Sequence, residues 1–416
     1  MRKTISSVLA LACCGMAKPL ATMREAVAQA LRNAPEVQEY HATYDAAKAR
    51  RSSAWGAALP SAELFGSHTE QFHGSGITPG TPLSRTNQAG LTASIPLVQP
   101  EGWLRARAAS QTLEAASIER RSRLANLAYN TSVAWIEFVG IQHRLALAQA
   151  RTASSLRSFE GVRMRTAAGD LTQIDLRQAQ SSVLSSKAAE TSLRGDSLKA
   201  SEAIYLLCGE YPQSQVEFPD SLLSLSVGSQ NLLETASIKT ARLLSESAAS
   251  GEFAARLGVL PTLHFLWSTS YALDNSTSER PWDHRGELRL SVGIPPSPGA
   301  IGSARAAMRI ADSRYRAALR IGASRLRMAL HVYEQSKTAL ALHLADSAAV
   351  SDVATGRETA FAAGSNTISE FLSAQKELYA TCDNLWQART SLSVAGLTLL
   401  KENEELDRFL GIGDHP

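Results

Sequence analysis

Cysteine and aromatic residues are scarce in this chain of 416 residues, which has four cysteines and only 6% Phe, Trp and Tyr. Cys13 and Cys14 fall in an apolar stretch at the N-terminus, and Cys208 and Cys382 stand far apart in helix-like sequence. A framework of disulfides is therefore not indicated. So few aromatic residues argue against a broad globular core and favour long helices that pack side by side.

The chain also has no large excess of one charge sign, since 42 basic and 39 acidic residues give a formal net charge of +3. No basic block occurs, so we do not expect nucleic acid as a partner. The chain has no His-Glu-x-x-His, no Gly-rich phosphate loop and no nucleophile elbow, and its nine histidines are scattered. We therefore expect no enzyme, with no catalytic residue, cofactor or metal site.

The N-terminal stretch predicts a signal peptide, because Arg2 and Lys3 precede an apolar run and small residues lead up to Ala17. A frayed N-terminal helix is the alternative. A lipoprotein signal needs Leu where this chain has Ala10, so we do not expect a lipid anchor. Further along, no run of about eighteen apolar residues predicts a transmembrane helix, and a membrane-spanning part would have to be built from strands.

Internal duplication organises the rest of the sequence. Landmarks recur in the same order, namely Pro60 and Pro261, Pro96 and Pro295, and Gly169 and Gly364, at offsets of 201 (261 − 60), 199 (295 − 96) and 195 (364 − 169). Coincidence in an alanine-rich chain is the alternative interpretation. A near-constant offset instead predicts two copies of one structural unit.

Each copy predicts a helix stopped by Leu-Pro, two strands, a very long helix, a glycine turn and a returning helix. We expect five segments: a signal peptide at 1–17, a first repeat at 18–208, a linker at 209–229, a second repeat at 230–411 and a tail at 412–416. The first helix of each repeat is predicted at Met23 to about Ala58 and at about Leu232 to Leu257.

The predicted strands alternate between apolar and polar residues. The alternation is clear at 88–97, 262–273 and 286–294, and it is ragged at 61–72. Membrane strands alternate in this way, and so does a soluble antiparallel sheet with one face on a core. Polar loops rich in Gly, Pro and Ser at 74–86 and 275–284 favour membrane strands. Because four strands are too few to close a barrel, several chains would have to share one.

The long helices predict coiled coil, because their apolar residues recur at an average spacing of about 3.5. The first seam comprises Leu124, Leu127, Thr131, Ala134, Phe138, Ile141, Leu145 and Ala148. The second comprises Leu319, Ala323, Leu326, Leu330, Tyr333, Lys337, Leu340 and Leu344. A helix from Trp103 to Ala168 would span roughly 90 to 100 Å, which suits a tube of antiparallel helices.

The glycine turns supply the candidate site residues. Each glycine is followed by residues able to cap the next helix, and the two turns are Gly169, Asp170, Leu171, Thr172 and Gly364, Ser365, Asn366, Thr367. Asp175 and Glu370 stand six residues after the glycines. An acid there stabilises a helix through its dipole, which is sufficient to explain both. The alternative is a ring of carboxylates that narrows a pore.

These features resemble the TolC family of outer-membrane factors over nearly the whole mature length. The resemblance rests on Ala58-Leu59-Pro60, Ser94-Ile95-Pro96-Leu97 and the duplicated glycine turns with their following acids. It implies a mainly α fold with a small β part. In that fold, long antiparallel coiled-coil helices form an α-barrel tunnel, and each chain adds four strands to a trimeric twelve-stranded transmembrane β-barrel.

The resemblance further implies a homotrimer in the outer membrane, in contact with its lipid and with a long periplasmic part. The chain would be the passive duct of a tripartite efflux pump or a type I secretion system, working with a periplasmic adaptor and an inner-membrane pump. The turn residues would meet the adaptor, and Asp175 and Glu370 would lie near the pore constriction. The alternative function is that of a periplasmic coiled-coil adaptor or a structural protein of the envelope.

The chain departs from the family pattern at the turn that holds Gly364. An aromatic phenol and an arginine that help to lock the best-known member are replaced here by Phe361 and Asn366, and a second acid is replaced by Ser373. The usual closing bonds are therefore not expected, whereas a single ring of Glu370 is compatible with the sequence. The sequence does not reveal the cargo.

Overall fold

A computed structural model of the chain describes residues 20–71, 84–213, 218–225, 235–258, 260–273, 282–292 and 298–411. The predicted signal peptide, the predicted tail and parts of the predicted linker lie outside these residues. The elements in chain order are α1 (Met23–Asn33), α2 (Pro35–Gly56), β1 (Ser61–Gln71), β2 (Ser84–Val98), α3 (Pro100–Ala167), α4 (Gln173–Cys208), a 3-10 turn (Asp220–Leu222), α5 (Ala236–Leu257), β3 (Thr262–Ala272), β4 (Trp282–Ser291), α6 (Pro298–Ala362), α7 (Ile368–Glu402) and α8 (Leu406–Leu410).

The succession of elements occurs twice. In each half, helix is followed by two strands, a helix of 68 or 65 residues, a turn and a returning helix. The strands β1 and β3 begin 201 residues apart (262 − 61), and the returning helices α4 and α7 begin 195 apart (368 − 173). These offsets are those of the sequence landmarks, so the predicted repeated order of elements is confirmed.

The first predicted helix, Met23 to about Ala58, is interrupted near its start. Helix α1 ends at Asn33, Ala34 takes an extended conformation with ψ 130°, and α2 begins at Pro35. Proline fits the first position of a helix because its missing N–H has no partner there, and it disfavours helix at the residue before it. The prediction of one continuous helix was therefore wrong, since it gave Pro35 too little weight.

The strands form one four-stranded sheet in the order β1-β2-β3-β4, with each neighbouring pair antiparallel. The central pair β2–β3 joins the two halves, and a register shift between Pro96 and Val98 marks its helix-proximal end. Strand β1 confirms the ragged segment as a strand. Strand β4 begins at Trp282, four residues before its predicted start at Gly286.

The two faces of the sheet differ in polarity, as the alternation predicted. Registered residues across the strands place one apolar set on the same face, including Leu64, Leu91, Phe265, Leu288 and Leu290. The opposite face carries polar residues such as Thr92, Ser268 and Arg285. Leu64 is 83% exposed and Leu288 is 66% exposed, so the apolar face is uncovered in the single chain.

The chain divides into two compact units. One comprises Met1–Gln38, Arg123–Asn231 and Ala323–Pro416, and the other comprises Glu39–Ser122 and Leu232–Gly322. Each unit therefore contains segments of both repeats. The second unit holds the sheet with the adjoining parts of α2, α3, α5 and α6. The boundaries predicted for the repeats and the linker stay a prediction.

The first unit contains the main core. Its largest fully buried side chains include Val27 of α1, Trp135 and Ile136 of α3, Ile204 of α4 and Leu397 of α7. The seam predicted on α3 is buried or half-buried along its full length. The second predicted seam is wrong at Leu330, Lys337 and Leu344, which are exposed. On α6 the buried stripe runs instead through Ala329, Tyr333 and Leu340.

A histidine is stacked in the same unit. The ring of His143 lies 4.0 Å from that of Trp386 at an interplanar angle of 3°, and Phe218 meets both rings edge-on. The pKa of His143 is lowered by burial and by the charge of Arg389, and Asp220 partly opposes this. The neutral imidazole is therefore the form that this packing favours.

The lowered pKa makes the stability of this unit depend on pH. In the unfolded chain His143 binds a proton near the ordinary histidine pKa of about 6.5, whereas in the folded chain it binds one only at lower pH. The unfolding free energy should therefore fall as pH drops from about 7 to about 5. His143→Leu should flatten that part of the pH profile, measured by chemical unfolding. The matching change at exposed His331 should leave the slope intact, and an unaltered slope in His143→Leu would refute the assignment.

Candidate functional site

The first glycine turn joins α3 to α4 through a backbone conformation that suits glycine. Gly169 has φ +89°, and the following Asp170 N–H donates to the carbonyl of Arg165 at 2.9 Å. Thr172 then caps α4, where its hydroxyl accepts from the Asp175 N–H at 3.3 Å. The Asp175 carboxylate accepts in turn from the N–H and the hydroxyl of Thr172, at 2.9 and 2.7 Å. This capping box fixes where the returning helix begins.

The second glycine turn repeats the geometry between α6 and α7. Gly364 has φ +75°, the Ser365 N–H donates to the carbonyl of Ala360 at 3.0 Å, and the hydroxyl of Thr367 accepts from the Glu370 N–H at 3.3 Å. The carboxylate differs. Glu370 pairs with Arg357 of α6 at 3.2 Å instead of closing a capping box.

The two turns pack against each other. Val162, Ala179 and Ile368 are buried together there, with Leu171 and Phe361 among the half-buried residues around them. All belong to the first compact unit. The turns predicted from sequence are therefore brought together in space, and they form one tip with a small apolar centre.

An arginine and two phenylalanines connect the turns across a wide sequence separation. The Arg165 guanidinium lies 5.0 Å from the centroid of the Phe361 ring and donates to the Phe361 carbonyl at 3.4 Å. Phe361 stacks on Phe371 with a centroid distance of 4.8 Å and an interplanar angle of 5°. A cation over an aromatic face contributes about 0.5 to 1 kcal/mol at an exposed site. Phe361 thus supplies a contact between the turns without a phenol.

The candidate acids have different surroundings despite their equivalent positions. Both lie in the first turn of a returning helix, as predicted. One carboxylate oxygen of Asp175, Oδ2, accepts both bonds of the capping box. The side chain of Glu370 is 48% exposed and shares Arg357 with the side-chain oxygen of Asn366, which accepts from the guanidinium at 3.1 Å. Both bonds to Asp175 end on its Oδ2, and the residue is half-buried, so Glu370 is the more exposed carboxylate of the two.

Sequence reasoning missed Arg165 and Arg357. Each lies on the helix that enters a turn, four and seven residues before the glycine (169 − 165 and 364 − 357). A basic residue in the last turn of a helix interacts favourably with the helix dipole. The local sequence therefore does not distinguish Arg165 from an ordinary residue at a helix end. Its contact with Phe361 joins residues 196 apart and depends on the tertiary fold.

The described residues offer neither a metal cluster nor an apolar spanning helix. Within them, no group of three or more His, Cys, Asp or Glu side chains is arranged to hold a metal ion. Of the helices that the structure describes, none is long and apolar enough to cross a membrane.

Part of the chain matches a known protein family. Residues 26–210 match the model of the outer membrane efflux protein family. Two relatives, both from strains of Pseudomonas putida, are the probable efflux pump outer membrane protein SepC and the toluene efflux pump outer membrane protein TtgF. Each is 28% identical over 252 residues, which cover 58% of this chain. The match spans about half, 52%, of the length of either relative.

Solved structures agree with that assignment in their fold. The chain resembles CusC, described with transmembrane channel formation, with a TM-score of 0.84 at 18% identity over 92% of this chain and 91% of that one. It resembles VceC of Vibrio cholerae with a TM-score of 0.81 at 16% identity, over 92% of this chain and 95% of that one. It also resembles the MtrE outer membrane channel of Neisseria gonorrhoeae with a TM-score of 0.80 at 17% identity, over 92% of this chain and 89% of that one. The family model matches residues 26–210, and the solved channels share the fold, so the predicted resemblance to TolC-type outer-membrane factors is confirmed.

The turn geometry predicts the effect of replacing its glycine. Gly169→Ala should lower the unfolding free energy by about 1 to 2 kcal/mol, because a Cβ disfavours the left-handed conformation. Gly161→Ala, a control eight residues earlier within α3 where a Cβ would meet nothing within 4 Å, should instead stabilise by roughly 0.5 to 1 kcal/mol. Equal effects of the two changes in chemical unfolding would contradict the turn assignment.

Proposed function

We propose that this chain is the outer-membrane channel of a tripartite efflux pump, a passive duct through which cargo leaves the cell. The observation that carries the proposal is the combination, in one chain, of an uncovered apolar sheet face with long helices that end in paired glycine turns. The sheet would sit in the outer membrane, and the helices would extend into the periplasm.

Three copies would form the working channel. The described sheet has strands β1 and β4 at its two edges, and each edge leaves one side of a strand without a partner in the single chain. Three such sheets, joined edge to edge, give the twelve strands of a closed barrel. Closure satisfies the backbone groups that lipid cannot satisfy, which supports the homotrimer.

The glycine turns would be the tips that meet a periplasmic adaptor. Six of the eight predicted contact residues are exposed, whereas Leu171 and Asn366 are half-buried. Leu171 packs against the small apolar centre between the turns, so it serves the shape of the tip more than direct contact. The inner-membrane pump would act through that adaptor.

Glu370 is the acid that we assign to the pore constriction. Its side chain is 48% exposed, and its pair with the equally accessible Arg357 is held at 3.2 Å through one carboxylate oxygen, Oε2. Asp175 would support the same region through its capping box. The cargo is proposed to be small molecules, because both relatives named above belong to efflux pumps and one of them to a toluene pump. Type I secretion of proteins is the alternative for the same duct.

Oligomeric state and conductance test the proposal directly. The purified chain should run as a detergent-resistant trimer, show both helix and strand by circular dichroism, and give discrete conductance steps in a planar bilayer. A water-soluble, almost purely helical protein that opens no conductance would support the adaptor or structural alternative and contradict the channel.

Charge at the proposed constriction should be visible in ion selectivity. Glu370→Gln should reduce the cation-to-anion permeability ratio by about twofold or more, because a carboxylate near the pore attracts cations, and Arg357→Gln should change the ratio in the opposite direction. Reversal potentials under a KCl gradient measure both effects.

A neighbouring acid provides the control. Glu358 is exposed and lies next to Arg357 on α6, and Glu358→Gln removes the same charge without touching the Glu370 pair. It should leave the selectivity close to wild type. If the Glu370 and Arg357 variants both match Glu358→Gln, neither residue lies at the constriction.

A further inference from the structure

The helical part of the second compact unit is a layer joined by contacts from helix to helix. The Trp55 indole N–H of α2 donates to Ser110 of α3 at 3.1 Å, and the hydroxyls of Thr112 of α3 and Ser247 of α5 lie 3.0 Å apart. Glu252 of α5 lies 3.8 Å from Arg305 of α6. The contacts thus run in the order α2, α3, α5, α6.

One side of this layer carries exposed aromatic residues close to the strands. Successive side chains are rotated by about 100° around a helix axis. The residues that contact a neighbouring helix, together with the direction in which each helix runs, therefore show on which side of the layer a given side chain lies. Trp55, Trp103 and Phe253 fall on the same side, and they are 39%, 47% and 52% exposed. Each lies within a few residues of the helix end that adjoins a strand.

Basic residues follow the aromatic residues on that same side. Lys48 is seven residues before Trp55, and Arg107 is four after Trp103, which places them about 10 and 6 Å further from the strands. Arg305 and Arg309 are seven and eleven residues into α6. The resulting basic band consists of Lys48, Arg107, Arg305 and Arg309, all of which are exposed.

Three of the four charges of this band have no ion-pair partner among the described residues, namely Lys48, Arg107 and Arg309. The fourth, Arg305, lies 3.8 Å from Glu252. The two carboxylates nearest the helix ends are already held, Glu101 by Arg105 and Glu252 by Arg256 and Arg305.

Further from the strands the pattern changes. Arg316 pairs with Asp312 at 2.9 Å, and Arg242 pairs with Glu246 at 3.3 Å. On this side of the layer, the basic residues nearest the aromatic residues are thus less compensated than Arg316 and Arg242 further along.

We propose that the basic band binds the phosphates of an anionic phospholipid leaflet, with Trp55, Trp103 and Phe253 at the boundary of its acyl region. Aromatic rings concentrate at such boundaries, and basic residues beside them attract anionic headgroups. The inference rests on the proposed function, because it requires the adjoining sheet to lie in a membrane. It adds a lipid headgroup preference and assigns it to residues on the helices.

Tryptophan quenching by brominated lipids tests the preference on the full chain. The protein is reconstituted in phosphatidylcholine vesicles in which phosphatidylglycerol makes up about one third of the lipid. In one preparation the phosphatidylglycerol is brominated, and in the other an equal amount of the phosphatidylcholine is brominated instead. Quenching should be about twofold stronger with brominated phosphatidylglycerol, since each basic residue near an anionic surface contributes measurably to attraction. The triple variant Lys48→Gln, Arg107→Gln, Arg309→Gln should lose this preference.

A matched variant controls for net charge. Arg50→Gln, Arg121→Gln, Arg320→Gln removes three exposed charges from the same three helices outside the band, and it should keep the preference. No preference in the wild type, or equal loss in both triple variants, overturns the proposal. The proposal is also overturned if inorganic phosphate abolishes the preference while the protein stays inserted, because this result would indicate a site for free phosphate.

Conductance separates the two proposals. A channel that conducts but shows no lipid preference removes the headgroup site and leaves the duct in place. A chain that fails to insert and to conduct in either lipid removes the proposed function itself.

Discussion

Backbone hydrogen bonding at the edges of the sheet is the constraint on which the rest of this structure depends. A four-stranded sheet with β1 and β4 at its edges leaves peptide groups on both sides that need partners, and one face is apolar and uncovered. Water could satisfy the edges but would disfavour the apolar face, whereas lipid could cover the face but not the edges. Edge pairing between copies in lipid resolves both requirements. The proposed trimer would also cover apolar surface that the long helices expose in the single chain.

The internal duplication divides the strands of this sheet equally between the two halves of the chain. Each half contributes two strands, and the halves meet at the β2–β3 pair in the middle of the sheet. The same duplication brings two glycine turns together at one tip, where Val162, Ala179 and Ile368 are buried between them. Each compact unit accordingly draws on both halves, so neither half folds around a core of its own. The repeated unit is thus a unit of sequence more than of packing.

Features that depend on local chemistry were predictable from the sequence. Gly169 and Gly364 occupy left-handed positions that suit glycine, and the threonine three residues after each begins the next helix. Strand faces followed from alternation for the same reason. The predictions failed where tertiary packing decides: the buried stripe on α6 bypasses Leu330, and Arg165 meets Phe361 across 196 residues. No short window of sequence contains the partner in such a contact.

Equivalent positions in a duplicated chain need not keep equivalent roles. Asp175 and Glu370 both follow a glycine turn, and Asp175 reaches back to its own N-cap at 2.9 Å. The longer Glu370 extends instead to Arg357 on the preceding helix. The first arrangement uses one carboxylate oxygen to fix the backbone, and the second leaves the carboxylate exposed beside Arg357, which also donates to Asn366. Capping alone therefore accounts for the position of Asp175, whereas the more exposed Glu370 is the acid that we propose for the constriction.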